Sequence, residues 1–172
     1  MLAFLFGRYR PVETRGLLAV LGFGAAMLAL RLLLAAPFWA SGQTRWVQFP
    51  TELASSTTYL FANLFVLHFG FFELPIPFPA FTAYVTALAE IVLPVAIVAG
   101  LFTRLGGLAL FVMSVVIELV FPDAFINVAD PMNSHALWMA YGLAIAWFGP
   151  GAFSLDWLAR RYVLPRVAGA GR

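Results

Sequence analysis

The sequence predicts an all-α membrane protein, a four-transmembrane-helix bundle with an additional helix on its outer face. Three observations predict it. The 172-residue chain is 63% hydrophobic and only 10% charged, against roughly a quarter charged in soluble domains. Long apolar runs alternate with short stretches carrying polar residues, Gly or Pro. The basic residues, all arginine, cluster at the ends of those runs instead of covering a surface. A soluble domain of this size needs a polar shell that the composition does not supply, and disorder needs the opposite balance. The small positive net charge of +2 reports membrane orientation and no nucleic-acid partner.

Residues 1–15 read as a cytoplasmic lead-in with Arg8, Arg10 and Arg15. The first span follows over about 16–39, interrupted by Arg31. Its apolar part is too long for a signal peptide, whose h-region holds about 7–15 residues. Gly22, Ala25, Ala26 and Ala29 offer small positions for close helix packing. The second span covers about 83–102 with Glu90 and Pro94 inside it, and a tight turn at Thr103-Arg104 leads to the third, about 105–121, with Ser114 and Glu118. The fourth covers about 134–148, opens on His135 and stops at Gly149-Pro150-Gly151. Ser154 is then the expected N-cap of a short amphipathic helix, 155–163, in a cytoplasmic tail over 155–172.

Insertion survives the charges. The second span holds ten Leu, Ile, Val or Phe residues. At about −0.3 to −0.6 kcal/mol each they outweigh one central acid near +3 kcal/mol. The stretch 55–74 is apolar but opens with Ser-Ser-Thr-Thr and carries Asn63, His68 and Glu73. Orientation decides its reading. With four spans, Arg8, Arg10, Arg15, Arg104, Arg160, Arg161 and Arg166 share one side and Arg45 alone takes the other. The positive-inside rule then puts both termini in the cytoplasm of a bacterial inner membrane. A fifth crossing would break that pattern, so 51–72 reads as a periplasmic, interfacial helix. Trp39, Trp46, Tyr84 and Trp138 outside, with Trp147, Phe148 and Trp157 inside, form aromatic belts.

Rise per residue places the polar groups in depth. Arg31 falls about 12 Å below the outer end of span one, Glu90 about 10 Å below that of span two, and Glu118 about 5 Å below that of span three. His135 sits at the rim of span four. Groups so costly in lipid should face inward and pair, which points to an Arg31–Glu90 ion pair. That pair either locks two helices together or anchors a polar ligand head, with Glu118 and His135 handling protons. Pro94 also removes the donor for the Glu90 carbonyl, leaving an acceptor that a pocket would receive. His68 lies among Phe65, Phe69, Phe71 and Phe72, which read as a lipid-facing stripe.

Other chemistries lack their residues. There is no cysteine and no lysine, so thiolate, disulfide and Schiff-base chemistry are absent from the chain. Two distant histidines do not make a metal site. No Gly-x-Ser-x-Gly elbow or nucleotide loop occurs.

The run Ala89–Arg104 (AEIVLPVAIVAGLFTR) and the ending Gly149–Asp156 (GPGAFSLD) resemble the DoxX family of small four-helix membrane proteins. Arg31 followed by LLLAAPFWASG, closing on Gly42, resembles that family's first helix, and His135–Trp138 resembles the start of its last. The resemblance covers about Leu28 to Leu158. Arg45 stands where many members carry Lys, and the loop Phe125–Asn133 is longer than usual. The resemblance implies a membrane subunit of quinone-linked sulfur oxidation or of a redox-stress complex. Relatives in the wider clan imply cargo receptors or assembly chaperones instead. The leading expectation is thus a subunit that acts with protein partners, or as a homo-oligomer, and binds a quinone or similar small amphiphile through Arg31, Glu90, Glu118 and His135. The alternative is a non-catalytic assembly or export helper that recognises a partner segment through Tyr59–Phe72 and the small-residue groove of span one.

Overall fold

Leu17 begins a helix that runs unbroken to Thr44, through Pro37. In the computed structural model, which describes residues 16–163, this helix (α1) is the longest element. The expected arginines of the lead-in, and Arg166 in the tail, lie outside the described residues. A hairpin follows, β1 (Trp46–Gln48) against β2 (Glu52–Leu53), then the short helix α2 (Ser55–Asn63). A second hairpin pairs β3 (Val66–His68) with β4 (Glu73–Pro75). The three remaining apolar helices are α3 (Pro79–Ala99), α4 (Thr103–Val120) and α5 (His135–Phe148). Two 3-10 turns, Pro122–Ala124 and Pro131–Asn133, join α4 to α5. A single turn, α6 (Leu155–Leu158), passes into a π-helical turn, Ala159–Val163.

By length and composition α1, α3 and α4 are able to cross a membrane, and α5 is a shorter apolar helix of 14 residues. The chain is a multi-pass membrane protein. The four helices pack as a ring in the order α1, α3, α4, α5, with α5 closing back on α1. Lipid tails are as apolar as leucine, so burial alone does not hold such helices together; close van der Waals fit does. The sequence supplies that fit at glycines. A Cβ on Gly107 of α4 would lie 2.9 Å from the Gly142 carbonyl of α5, and one on Gly142 would lie 2.9 Å from the Gly107 carbonyl. Met27, Leu34, Phe38, Ile97, Leu110 and Ile145 fill the space between the helices. The outward faces stay apolar, with Leu18, Val95 and Val112 exposed, as a lipid solvent requires.

Three boundaries differ from the expectation. The first span was read as ending near Trp39, but α1 continues to Thr44 because Pro37, though it lacks an N–H, is accommodated inside the helix. Span two begins at Pro79, whose fixed φ suits the first helical position, instead of Ala83. The expected outer helix over 51–72 is only nine residues long, and Val66–Pro75 form a hairpin instead. Three-residue strands are too short for a period-2 pattern to be read. Ser154 caps the last helix as expected, its Oγ accepting from Trp157 N at 3.1 Å.

The bundle therefore has two dissimilar ends. One carries both hairpins, α2 and the 122–133 segment. The other carries the α3–α4 turn and the 149–156 segment.

Candidate functional site

At the hairpin end, Arg45 caps the C-terminus of α1, its N–H bonded to the Gly42 carbonyl at 3.2 Å. Its own carbonyl accepts from Ala54 N at 2.9 Å and from Thr57 Oγ at 3.2 Å, so the start of α2 fixes its backbone. The guanidinium reaches across to α3. Its Nε donates to Glu90 Oε2 at 3.0 Å, and Nη2 donates to Glu90 Oε1 at 3.4 Å and to Ser41 Oγ at 3.3 Å. This two-point fork on a carboxylate is the geometry arginine favours. The Glu90 side chain is 3% exposed and that of Arg45 17%. Trp46 Nε1 donates to the Ala87 carbonyl, one turn from Glu90.

The diagonally placed helix α5 brings the second pair. His135 Nδ1 lies 2.7 Å from Glu118 Oε2 of α4, and the indole of Trp138 packs against the imidazole at 4.8 Å. Between the two pairs lies a cavity of about 270 Å³. Arg45, Glu90 and Ser41 line one side, His135 and Trp138 the other, and apolar residues of α4 such as Met113 and Ile117 the rest. A cavity with a few convergent polar groups in an otherwise greasy wall is the usual form of a small-molecule site. At this volume it suits a single substituted ring, since drug-sized guests occupy about 300–1,000 Å³.

The structure brings three of the four expected site residues to this end: Glu90, Glu118 and His135. It places Arg31 elsewhere, which corrects the expected Arg31–Glu90 pair. Because α1 extends to Thr44, Arg31 lies thirteen residues from its end, or about 20 Å, and so reaches the level of the opposite ends of α3 and α4. There it is fully buried and, among the described residues, donates to four backbone carbonyls: Met27 at 3.2 Å, Ile97 at 3.4 Å, Val98 at 3.3 Å, and Phe153. The last carbonyls of α3 lack intrahelical donors and carry the negative end of the helix dipole, so a cation is well placed. The chain then folds back over this point. Gly100, in the left-handed conformation at φ +73°, leaves room for Arg31 and Ser154 that a Cβ would fill. Asp156 accepts from Phe102 N at 2.9 Å, Thr103 N at 2.8 Å and Thr103 Oγ1 at 2.7 Å, which caps α4 from a distance of over fifty residues. The GLFTR and GPGAFSLD segments thus form one polar knot whose work is to lock the bundle.

Two further expectations change. The Glu90 carbonyl freed by Pro94 does not open to the cavity; it is covered by Gly42, where a Cβ would approach it to 2.8 Å. Of the phenylalanines beside His68, Phe69, Phe71 and Phe72 are exposed, but Phe65 packs at the cavity against Phe121, and His68 Nδ1, 3.1 Å from the Leu119 carbonyl, ties the second hairpin to α4. Arg45 is the residue the sequence reading missed. The signal was there: between Arg31 and Arg104 it is the only basic residue, so Glu90 has no other cation once Arg31 is too deep. Among the described residues no group of His, Asp and Glu is arranged to hold a metal ion.

A family model described as DoxX matches residues 26–123. The match runs from residue 26 within α1 through α4, leaves out His135 and Trp138 of the cavity wall, and leaves the 149–156 part of the knot outside. No curated protein and no solved structure matches the chain.

Proposed function

The chain belongs to the DoxX family, and from that premise we propose that it is an integral subunit of a bacterial inner-membrane redox complex. It binds the head of a quinone-like amphiphile between Arg45–Glu90 and His135–Glu118. The helices α1, α3, α4 and α5 cross the bilayer with both termini cytoplasmic, and the hairpins face the periplasm. The observation that carries this reading is the cavity itself, about 270 Å³ at one end of an apolar bundle with a charge-paired arginine and a carboxylate-held histidine in its wall.

Each side chain has a role set by its partners. Glu90 neutralises and aims Arg45, whose Nη1 makes no hydrogen bond among the described residues and donates to a carbonyl or hydroxyl of the head. Glu118 holds the imidazole by Nδ1, so Nε2 is the nitrogen left to exchange a proton with the guest, and Glu118 takes up or returns the balance. A bound quinone supplies two-electron, two-proton chemistry. The chain has no cysteine, so electrons pass to or from partner subunits.

Quinone co-extracted with the purified protein in mild detergent tests this. Wild type retains quinone, and Arg45→Gln loses it by about tenfold or more, the loss of a charge-assisted hydrogen bond of about 1.5–3 kcal/mol. Breaking a buried pair destabilises by about 3–5 kcal/mol, so the double variant Arg45→Gln/Glu90→Gln, which removes both charges, is measured alongside. A quinone-free wild type, or full retention in the folded double variant, contradicts the reading.

A second reading rests on an outward groove of about 510 Å³ between α1 and α3, lined by Ala35, Ala36, Trp39, Pro94, Val98 and Ala99. Small residues let a partner's transmembrane helix approach closely. This is the surface an assembly or export helper would use.

A further inference from the structure

Rings and helix contacts cover most of the cavity's walls. Toward the hairpin end it is roofed by rings: Arg45 stands 5.9 Å over Phe61, Phe61 packs on Phe65 at 5.0 Å, and Phe65 on Phe121 at 5.3 Å. The α1–α3 seam is shut by Gly42 against the Glu90 carbonyl. The α1–α5 seam is shut by Phe38 on Trp138, 5.4 Å between centroids. The α4–α5 seam is the most extensive helix contact among the described residues, and His135 on Glu118 bridges it beside the cavity. The α3–α4 seam differs. These helices are joined by a tight turn at one end, where Gly106 meets Ile97, and at the other end they share the small cluster around Phe61, Ala83 and Val120. Those two layers lie about 20 Å apart along the helices, and overall α3 and α4 pack far less extensively than α1 on α3 or α4 on α5, and about as much as α1 on α5. The cavity's remaining wall is made there by Thr86, which is half-buried, and Val116, which is 45% exposed.

We propose that the cavity opens sideways into the hydrocarbon through the α3–α4 seam at Thr86 and Val116. Its ligand is then a single-tailed, membrane-dissolved amphiphile whose ring-sized head reaches Arg45 and His135 while its tail stays in the seam. This rests on reading the cavity as a ligand site, and it adds the route and the ligand class. Water-soluble substrates are excluded by the aromatic roof. The volume agrees: about 270 Å³ holds a head and leaves no space for a long tail, which must lie outside.

Photolabelling in lipid nanodiscs tests the route. The probe is a substituted benzoquinone with an alkyl tail carrying a diazirine near the ring, and attachment sites are read by peptide mass spectrometry. Wild type is labelled on α3 around Thr86 and on α4 around Val116, and Arg45→Gln abolishes that labelling. Val116→Trp, which plugs the seam, lowers labelling by about tenfold, the equivalent of about 1.4 kcal/mol, whereas Val116→Ala does not. Labels confined to Phe61, Phe65, Phe121 or α5, with none around Thr86 or Val116 and with Arg45-dependent binding intact, overturn the sideways route and leave the ligand site standing. Labelling of wild type that Arg45→Gln does not change removes the ligand site, and this inference falls with it.

Discussion

Three arginines divide the labour. Among the described residues Arg31 donates to backbone carbonyls, two of them at the end of α3, so it holds chain to chain. Arg45 spends its donors on one carboxylate and one hydroxyl beside a cavity, so it is placed to meet a guest. Arg104 is buried against Gly149, where a Cβ would lie 3.1 Å from its Nε, and it belongs to the same knot as Arg31. Asp156 is the test of that knot. Removing it strands two buried donors on Thr103 and a part-buried one on Phe102, and an unsatisfied buried donor costs about 1–3 kcal/mol. Asp156→Ala is expected to destabilise by about 3 kcal/mol, lowering the melting temperature by roughly 6–12 °C at about 2–4 °C per kcal/mol. Co-extracted quinone per folded protein stays unchanged. A thermal scan in detergent checks the first part and lipid analysis the second. Depth counting from the sequence put Glu90, Glu118 and His135 at one end of the bundle, and the structure places them there. It misplaced Arg31 because Trp39 was taken as an interfacial anchor, when the helix runs five residues further, to Thr44, with Gly42 packed against α3.

Among the elements, the apolar helices were legible because their runs are long and their breaks are Gly or Pro. The segment from Trp46 to Pro75 was not. Its strands are two or three residues long, and their pairing is decided by contacts no local pattern reports: His68 on the Leu119 carbonyl and Phe65 on Phe121. The Pro77-Phe78-Pro79 turn shows the limit well. Phe78 takes the left-handed conformation at φ +48°, a cost that bulky residues rarely bear and that sequence reasoning assigns to glycine. Helix–helix fit is the part of the element scale most open to test. Gly107→Leu drives a side chain into the Gly142 carbonyl and the Ile145 side chain. Overpacking costs about 1–3 kcal/mol where the core cannot shift, and backbone contact leaves little to shift. The expected outcome is loss of the folded monodisperse species in size-exclusion chromatography. Gly22→Leu, at a position with open space around it, leaves the elution profile unchanged.

For the whole molecule, one end is built to hold together and the other to hold something. The turn end is a closed network of arginine, aspartate, threonine and backbone. The hairpin end sets the Arg45–Glu90 ion pair, between α1 and α3, and the His135–Glu118 contact, between α4 and α5, about one cavity and roofs it with aromatics. An experimental density map of the protein extracted from its native membrane with lipids retained tests this division most directly. The account predicts elongated density whose ring lies within hydrogen-bond reach of Arg45 and His135 and whose tail leaves between α3 and α4. An Arg45 turned away from Glu90 toward lipid, with the space between Glu90 and His135 collapsed, would contradict it.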